Sequence, residues 1–127
     1  MRLEELVAAV EGEILVRGDH PDVRIQSAFA ADLLSDVLSL SQAGTSTTLI
    51  TGMVNPQVMR VAEILGIAIV IVVRGKVPPP SMVDYAEELG IPLVATPKGM
   101  FETCGLMYKH GVAPGEIHPV HDTRERP

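Results

Sequence analysis

Residues 62–70, Ala62-Glu63-Ile64-Leu65-Gly66-Ile67-Ala68-Ile69-Val70, and residues 86–94, Ala86-Glu87-Glu88-Leu89-Gly90-Ile91-Pro92-Leu93-Val94, are two copies of one pattern. A single offset superimposes them, and the same offset carries Arg74-Gly75 onto Lys98-Gly99. Each copy reads as the end of a helix, a glycine and an apolar run. The glycine supplies the left-handed residue that closes a helix, and the β-branched run suits a strand buried on both faces. Helices alternating with short apolar strands predict an α/β fold with a mostly parallel central sheet, flanked by crossover helices.

The same grammar extends outward from this repeat. Thr47-Thr48-Leu49-Ile50-Thr51 reads as a strand that leaves through Gly52-Met53-Val54. Asn55 then caps a helix whose first position is Pro56, and Val58, Val61, Ala62 and Leu65 form its buried stripe. Further upstream, the spacing predicts a helix over Asp32 to Leu40 with Leu33, Leu34, Val37 and Leu38 on one face, broken by Ser41 to Ser46. Strands are expected at Ile14 to Val16 and at Val23, Ile25 and the small residues after them, following an N-terminal helix that buries Leu3, Leu6, Val7 and Val10 and stops at Gly12.

Downstream, Pro78-Pro79-Pro80 forces an extended link, and Ser81 with Asp84 has capping-box spacing. That helix should turn Met82, Tyr85, Ala86 and Leu89 inward. Thr96-Pro97 repeats a cap-then-proline entry to a last helix, with Phe101, Cys104, Met107 and Tyr108 inward and an end near Gly111. Residues 1–113 therefore make one domain and 114–127 a polar tail.

Composition bounds the function. With 127 residues, 46% of them hydrophobic and 20% charged, the chain is long enough for one aliphatic core. A formal charge of −6 repels a polyanion, so nucleic acid is not expected as a partner. The single Cys104 forms no internal disulfide, the first residues do not read as a signal peptide, and the Ile67 to Val73 run is far shorter than the roughly 20 residues of a membrane helix. A cytoplasmic protein without a membrane span is expected.

In an open parallel sheet, ligands gather outside the carboxyl ends of the strands, where helix N-termini point their N–H groups. That rule selects three loops: Thr51, Gly52 and Asn55 after one strand, Arg74 and Lys76 after the next, and Thr96, Lys98 and Gly99 after the third. Each joins a glycine to a hydroxyl or a cation, a combination that suits phosphate or carboxylate. The bland alternative is that the glycines serve turns and the basic residues solvate an edge.

Catalytic signatures are missing. Neither a phosphate-binding G-x-x-x-x-G-K-[ST] loop nor a G-x-G-x-x-G fingerprint occurs, and no G-x-S-x-G elbow accompanies the serines. His118 and His121, near Glu116 and Asp122, are spaced loosely for a metal and read as part of a solvated tail. Cys104 sits among apolar neighbours and reads as packing rather than as a nucleophile. No metal and no cofactor are expected.

Leu49-Ile50-Thr51-Gly52, the Gly66-Ile67 strand entry, the run Ala86 to Pro97 and Phe101-Glu102-Thr103 together resemble the DRTGG domain family. The resemblance covers most of the chain up to about Gly111. It implies a fold like the N-terminal domain of HPr kinase/phosphorylase, without that enzyme's catalytic domain. Similar domains accompany CBS domains in regulatory pyrophosphatases and are attached to phosphate acetyltransferases, in regulatory or oligomerising roles. Where the family usually carries Gly-Asp-Arg after Ile-Thr-Gly, this chain has Met53-Val54-Asn55-Pro56, so an acidic and basic pair is missing from that loop.

The sequence thus points to a non-catalytic regulatory or ligand-sensing module, a homodimer by expectation, that takes a nucleotide or another anionic metabolite across the three loops. The second reading is an interaction protein that scaffolds a metabolic or redox complex and binds no small ligand.

Overall fold

A computed structural model describes residues 1–20, 22–40 and 46–116. In chain order the elements are α1 (Leu3–Ala9), β1 (Glu13–Val16), β2 (Ser27–Ala30), α2 (Leu34–Leu40), β3 (Thr47–Thr51), α3 (Pro56–Leu65), β4 (Ile69–Val72), α4 (Pro80–Leu89), β5 (Leu93–Ala95), α5 (Met100–Lys109) and β6 (Ala113–Pro114). The strands form one six-stranded sheet in the order β1-β5-β4-β3-β2-β6. Every pairing is parallel except that of β1 with β5. The α/β architecture read from the repeat is therefore present. Its two copies lie side by side, with Val70 opposite Leu93, Ile71 opposite Val94 and Val72 opposite Ala95.

Strand order dictates where the helices go. From β2 through β3 and β4 to β5 the chain steps one place at a time in one direction, so right-handed crossovers put α2, α3 and α4 on the same face. Alternate strand residues supply each side. Leu49, Val70 and Val72 pack with Val37, Val58, Met59, Ala62, Met82 and Ala86 of those three helices. Ile50, Ile69 and Ile71 point the other way, onto Leu3, Leu6 and Val10 of the first helix and Met107 of the last. An unbroken run of β-branched residues is what a strand with two dry faces demands, and each such side chain fully buried contributes about 1.5–3 kcal/mol.

After β5 the direction reverses. The α5 crossover returns to the far edge, where β6 pairs with β2, and so runs over the opposite face. β4 and β5 are thus the neighbouring strands whose exits leave to opposite sides, the kind of crevice that binds ligands in open parallel sheets.

Several local expectations change. The first helix ends at Val10, and the residue that takes positive φ is Glu11, at 54°, rather than Gly12; a Cβ on Gly12 would crowd Val94 and Ala95 instead. Leu33 and Leu38 are 61% and 51% exposed, because the helix begins only at Leu34 and its inward line runs through Val37. The prolines do not delay α4: Pro79 is its N-cap residue and Pro80 its first residue, so Ser81 lies inside the helix and caps nothing. Likewise Gly99, not Thr96, is the N-cap residue of α5. This rotates Phe101 and Tyr108 outward, to 93% and 72% exposure, and turns Thr103 and Met107 inward. Pro114 belongs to β6, and the histidines His118 and His121 lie outside the described residues.

Candidate functional site

The three loops singled out in the sequence converge on one rim, at the carboxyl end of the parallel strands. Backbone hydrogen bonds connect them. The Arg74 N–H donates to the Lys98 carbonyl at 2.7 Å, and the Gly75 N–H donates to the Thr96 carbonyl at 3.0 Å. Arg74 and Gly75 both have φ of 67°, as at the two central positions of a type I′ turn, and the Lys76 N–H closes that turn on the Val73 carbonyl at 3.4 Å. A left-handed arginine is a strained residue, and it sits where the two β-strands with divergent exits meet.

From Lys76 the ammonium donates to the Gly52 carbonyl at 2.8 Å, which ties the second loop to the first. Thr51 is buried, and its Oγ1 accepts from the Met53 N–H at 3.1 Å, holding the strand exit in a tight turn. Thr96 performs two tasks. Its hydroxyl donates to the Val10 carbonyl at 2.7 Å and accepts from the Lys98 N–H at 3.2 Å, so the rim is fastened to the end of α1.

Sequence reasoning missed the acids. Asp32, just past β2, accepts from the Gly52 N–H at 2.7 Å through Oδ1 and from Arg74 Nη1 at 3.4 Å through Oδ2. An acid and a base, Asp32 and Arg74, thus meet beside the Met53-Val54-Asn55 loop, contributed by two other strand exits. The exit of β2 lies on the same rim as those of its neighbours, and that topological fact was the signal for Asp32. A Cβ on Gly52 would overlap Arg74 Nη1, so only glycine lets the guanidinium lie this close.

Lys98 stands between Glu102 at 3.3 Å and Glu11 at 3.5 Å. The hydrogen bond to Glu102 is the main cause that raises its pKa above the ordinary lysine value, with the charges of Glu102 and Glu11 adding to it against partial desolvation. Each basic side chain of the rim is thus already held, by a carboxylate or by a carbonyl. Asn55 and Gly99 occupy the N-cap positions of α3 and α5 in extended backbone, yet none of α3, α4 and α5 has a side-chain cap. The expected Asn55 cap does not form. The N-termini of α3 and α5, entered through Asn55 and Gly99 on the rim, therefore carry no side-chain acceptor, and the helix dipole makes that pole favourable for negative charge.

A second depression lies at the opposite pole. An open cleft of about 930 Å³ is bordered there by Gly66, Ile67, Gly90 and Ile91 and by Asp22, Val23 and Arg24. That end presents helix C-termini, closed by Gly66 and Gly90 at φ of 71° and 72°, whose carbonyls disfavour an anion. Chemistry rather than volume makes the rim the candidate site.

Cys104 is half-buried, and burial pushes its thiol pKa up, away from a reactive thiolate. Among the described residues, no three His, Cys, Asp or Glu side chains are grouped as a metal site, and no helix is long and apolar enough to cross a membrane.

No family model and no curated protein matches the chain. Five solved chains do match in structure. One is the regulatory region of Clostridium perfringens pyrophosphatase, comprising its CBS and DRTGG domains in complex with the activator diadenosine tetraphosphate; the TM-score is 0.68 over 96% of this chain, at 13% identity. The chain spans 52% of that structure's length. The likeness establishes a shared fold.

Proposed function

We propose that this chain is a non-catalytic, DRTGG-like regulatory module that senses a nucleotide or other anionic metabolite at the rim formed by Thr51, Gly52, Asn55, Arg74, Lys76, Thr96, Lys98 and Gly99, and that it works as a cytoplasmic homo-oligomer. One observation carries the reading. Arg74, Lys76 and Lys98 are brought to a single edge, and two of them are held there by carboxylates that a ligand can replace.

The exchange gives a physical basis for sensing. A phosphate engages a guanidinium more strongly than Asp32 does at 3.4 Å with both side chains 44% exposed, a pairing worth only about 0–1 kcal/mol. Displacing Asp32 frees the Gly52 N–H for the ligand and loosens the tie between the β2 exit and the β3 exit. Displacing Glu11 from Lys98 loosens α1 at the same time. Anion binding is thereby converted into looser tethering of the chain just after α1 and just before α2. The pyrophosphatase regulatory region of like fold binds a polyphosphate dinucleotide, which supports this ligand class.

Calorimetric titration with ATP, AMP, diadenosine tetraphosphate and pyrophosphate tests the proposal. Saturable binding that weakens at least about tenfold in Arg74→Asn and in Lys98→Ala is expected. Asparagine tolerates the left-handed backbone, so the first variant removes the cation without straining the turn. No binding by any of the four would refute the sensing role and leave the scaffold reading.

A further inference from the structure

The exposed face of α5 is built to meet a copy of itself. Residues Phe101, Glu102, Gly105, Tyr108 and Lys109 all face solvent, and at about 100° per residue Gly105 falls at the centre of that arc. A Cβ placed on Gly105 would meet nothing within 4 Å, so nothing in the described fold requires glycine there, although glycine within a helix costs stability relative to alanine. Phe101, 93% exposed, and Tyr108, 72% exposed, lie two turns apart on either side of it. Beside them runs an apolar groove of about 330 Å³, walled by Cys104 and Tyr108 on one side and Val112, Ala113 and Pro114 on the other.

The geometry points to a two-fold antiparallel pairing of α5 with α5 of a second copy, crossing at Gly105. This deepens the homo-oligomer of the preceding section by naming its surface, and it does not depend on whether the rim binds an anion. Antiparallel pairing about Gly105 sets Phe101 and Glu102 of one copy against Tyr108 and Lys109 of the other, at both ends of the contact. Aromatic meets aromatic, and acid meets base. Glu102 uses Oε2 for Lys98 while its Oε1 accepts no hydrogen bond among the described residues, and Lys109 has no carboxylate partner among them. A parallel pairing would instead set Glu102 against Phe101 and Lys109 against Tyr108, with no contact of acid and base. The missing side chain at Gly105 lets the backbones approach closely, and each copy's aromatic rings then cover the other's groove.

Crosslinking and sedimentation of the full chain test this. In a Cys104→Ser background, Gly105→Cys should form an intermolecular disulfide under mild oxidation, because a disulfide needs Cα atoms within about 4.4–6.8 Å. Lys109→Glu should raise the dimer dissociation constant by about tenfold or more, and adding Glu102→Lys should restore it. Phe101→Glu should give a monomer with an unchanged circular dichroism spectrum. A wild-type dimer that survives Phe101→Glu and yields no crosslink would overturn this surface while leaving self-association intact. A wild-type monomer at hundreds of micromolar would overturn both. Dimerisation that appears only after residues 117–127 are removed would mean that the chain's own end covers the face, and would also overturn the pairing.

Discussion

The amide of Arg74 donates to the carbonyl of Lys98 at 2.7 Å, and this bond joins the exits of β4 and β5 at the place where their crossovers part to opposite faces. The crevice expected between such strands is closed by the chain's own backbone. What is left for a ligand is the layer above it, where cations are held by acids.

Arg74 adopts φ of 67°, a conformation that costs a non-glycine residue about 1–2 kcal/mol. Arg74→Gly should therefore match or exceed wild-type stability by up to about 1 kcal/mol despite losing the Asp32 contact, whereas Arg74→Val should be destabilised. Urea unfolding of both variants measures the difference.

Thr96 and Thr48 are both buried threonines with opposite accounts. Thr96 donates to Val10 across the fold, whereas Thr48 Oγ1 has no hydrogen-bond partner among the described residues. Thr96→Val should cost about 1–3 kcal/mol, since it strands a buried carbonyl, and Thr48→Val should be neutral or stabilising. Their melting temperatures should move in opposite directions or, at the least, differ by several degrees.

The paired glycines of the repeat should also differ. Gly66 and Gly90 have nearly the same φ, but a Cβ on Gly66 meets nothing within 4 Å while one on Gly90 would overlap the Asp19 carboxylate. Gly66→Ala should lose about 1 kcal/mol from backbone strain alone. Gly90→Ala should lose more, because Asp19, whose N–H donates to the Gly90 carbonyl, must also shift.

Alkaline pH reports on Lys98. Its pKa is raised in the folded chain, so the bridge to Glu102 and Glu11 contributes fully below the unfolded lysine value, about 10.4, and is lost as pH rises through the higher folded value. The melting-temperature gap between wild type and Lys98→Met should hold steady from neutral pH to about 10 and close above it.

Much of this fold was legible because two rules act locally. An unbroken β-branched run needs two dry faces, and a glycine must close each helix that precedes it; together these place β4, β5, Gly66 and Gly90 from sequence alone. The rim was legible from the same logic, since parallel neighbours must share an exit. The orientation of α5 was not, because Thr96-Pro97 looks like a helix entry, while the Thr96 hydroxyl is used across the fold on Val10 and the helix waits for Gly99. That three-residue delay is what sends Phe101 and Tyr108 outward. Asp32 escaped notice for a similar reason: in sequence it looks like part of a helix start, and only the strand order brings it to Gly52.

An anion enters at the rim by replacing carboxylates, and backbone amide shifts recorded while pyrophosphate is titrated into the chain read that exchange residue by residue. Saturating changes are expected at Gly52, Arg74, Gly75 and Lys98, with those at Gly66 and Gly90 staying still. Changes confined to the cleft around Gly66 and Gly90, or none at the rim at a concentration that calorimetry shows to be saturating, would contradict it.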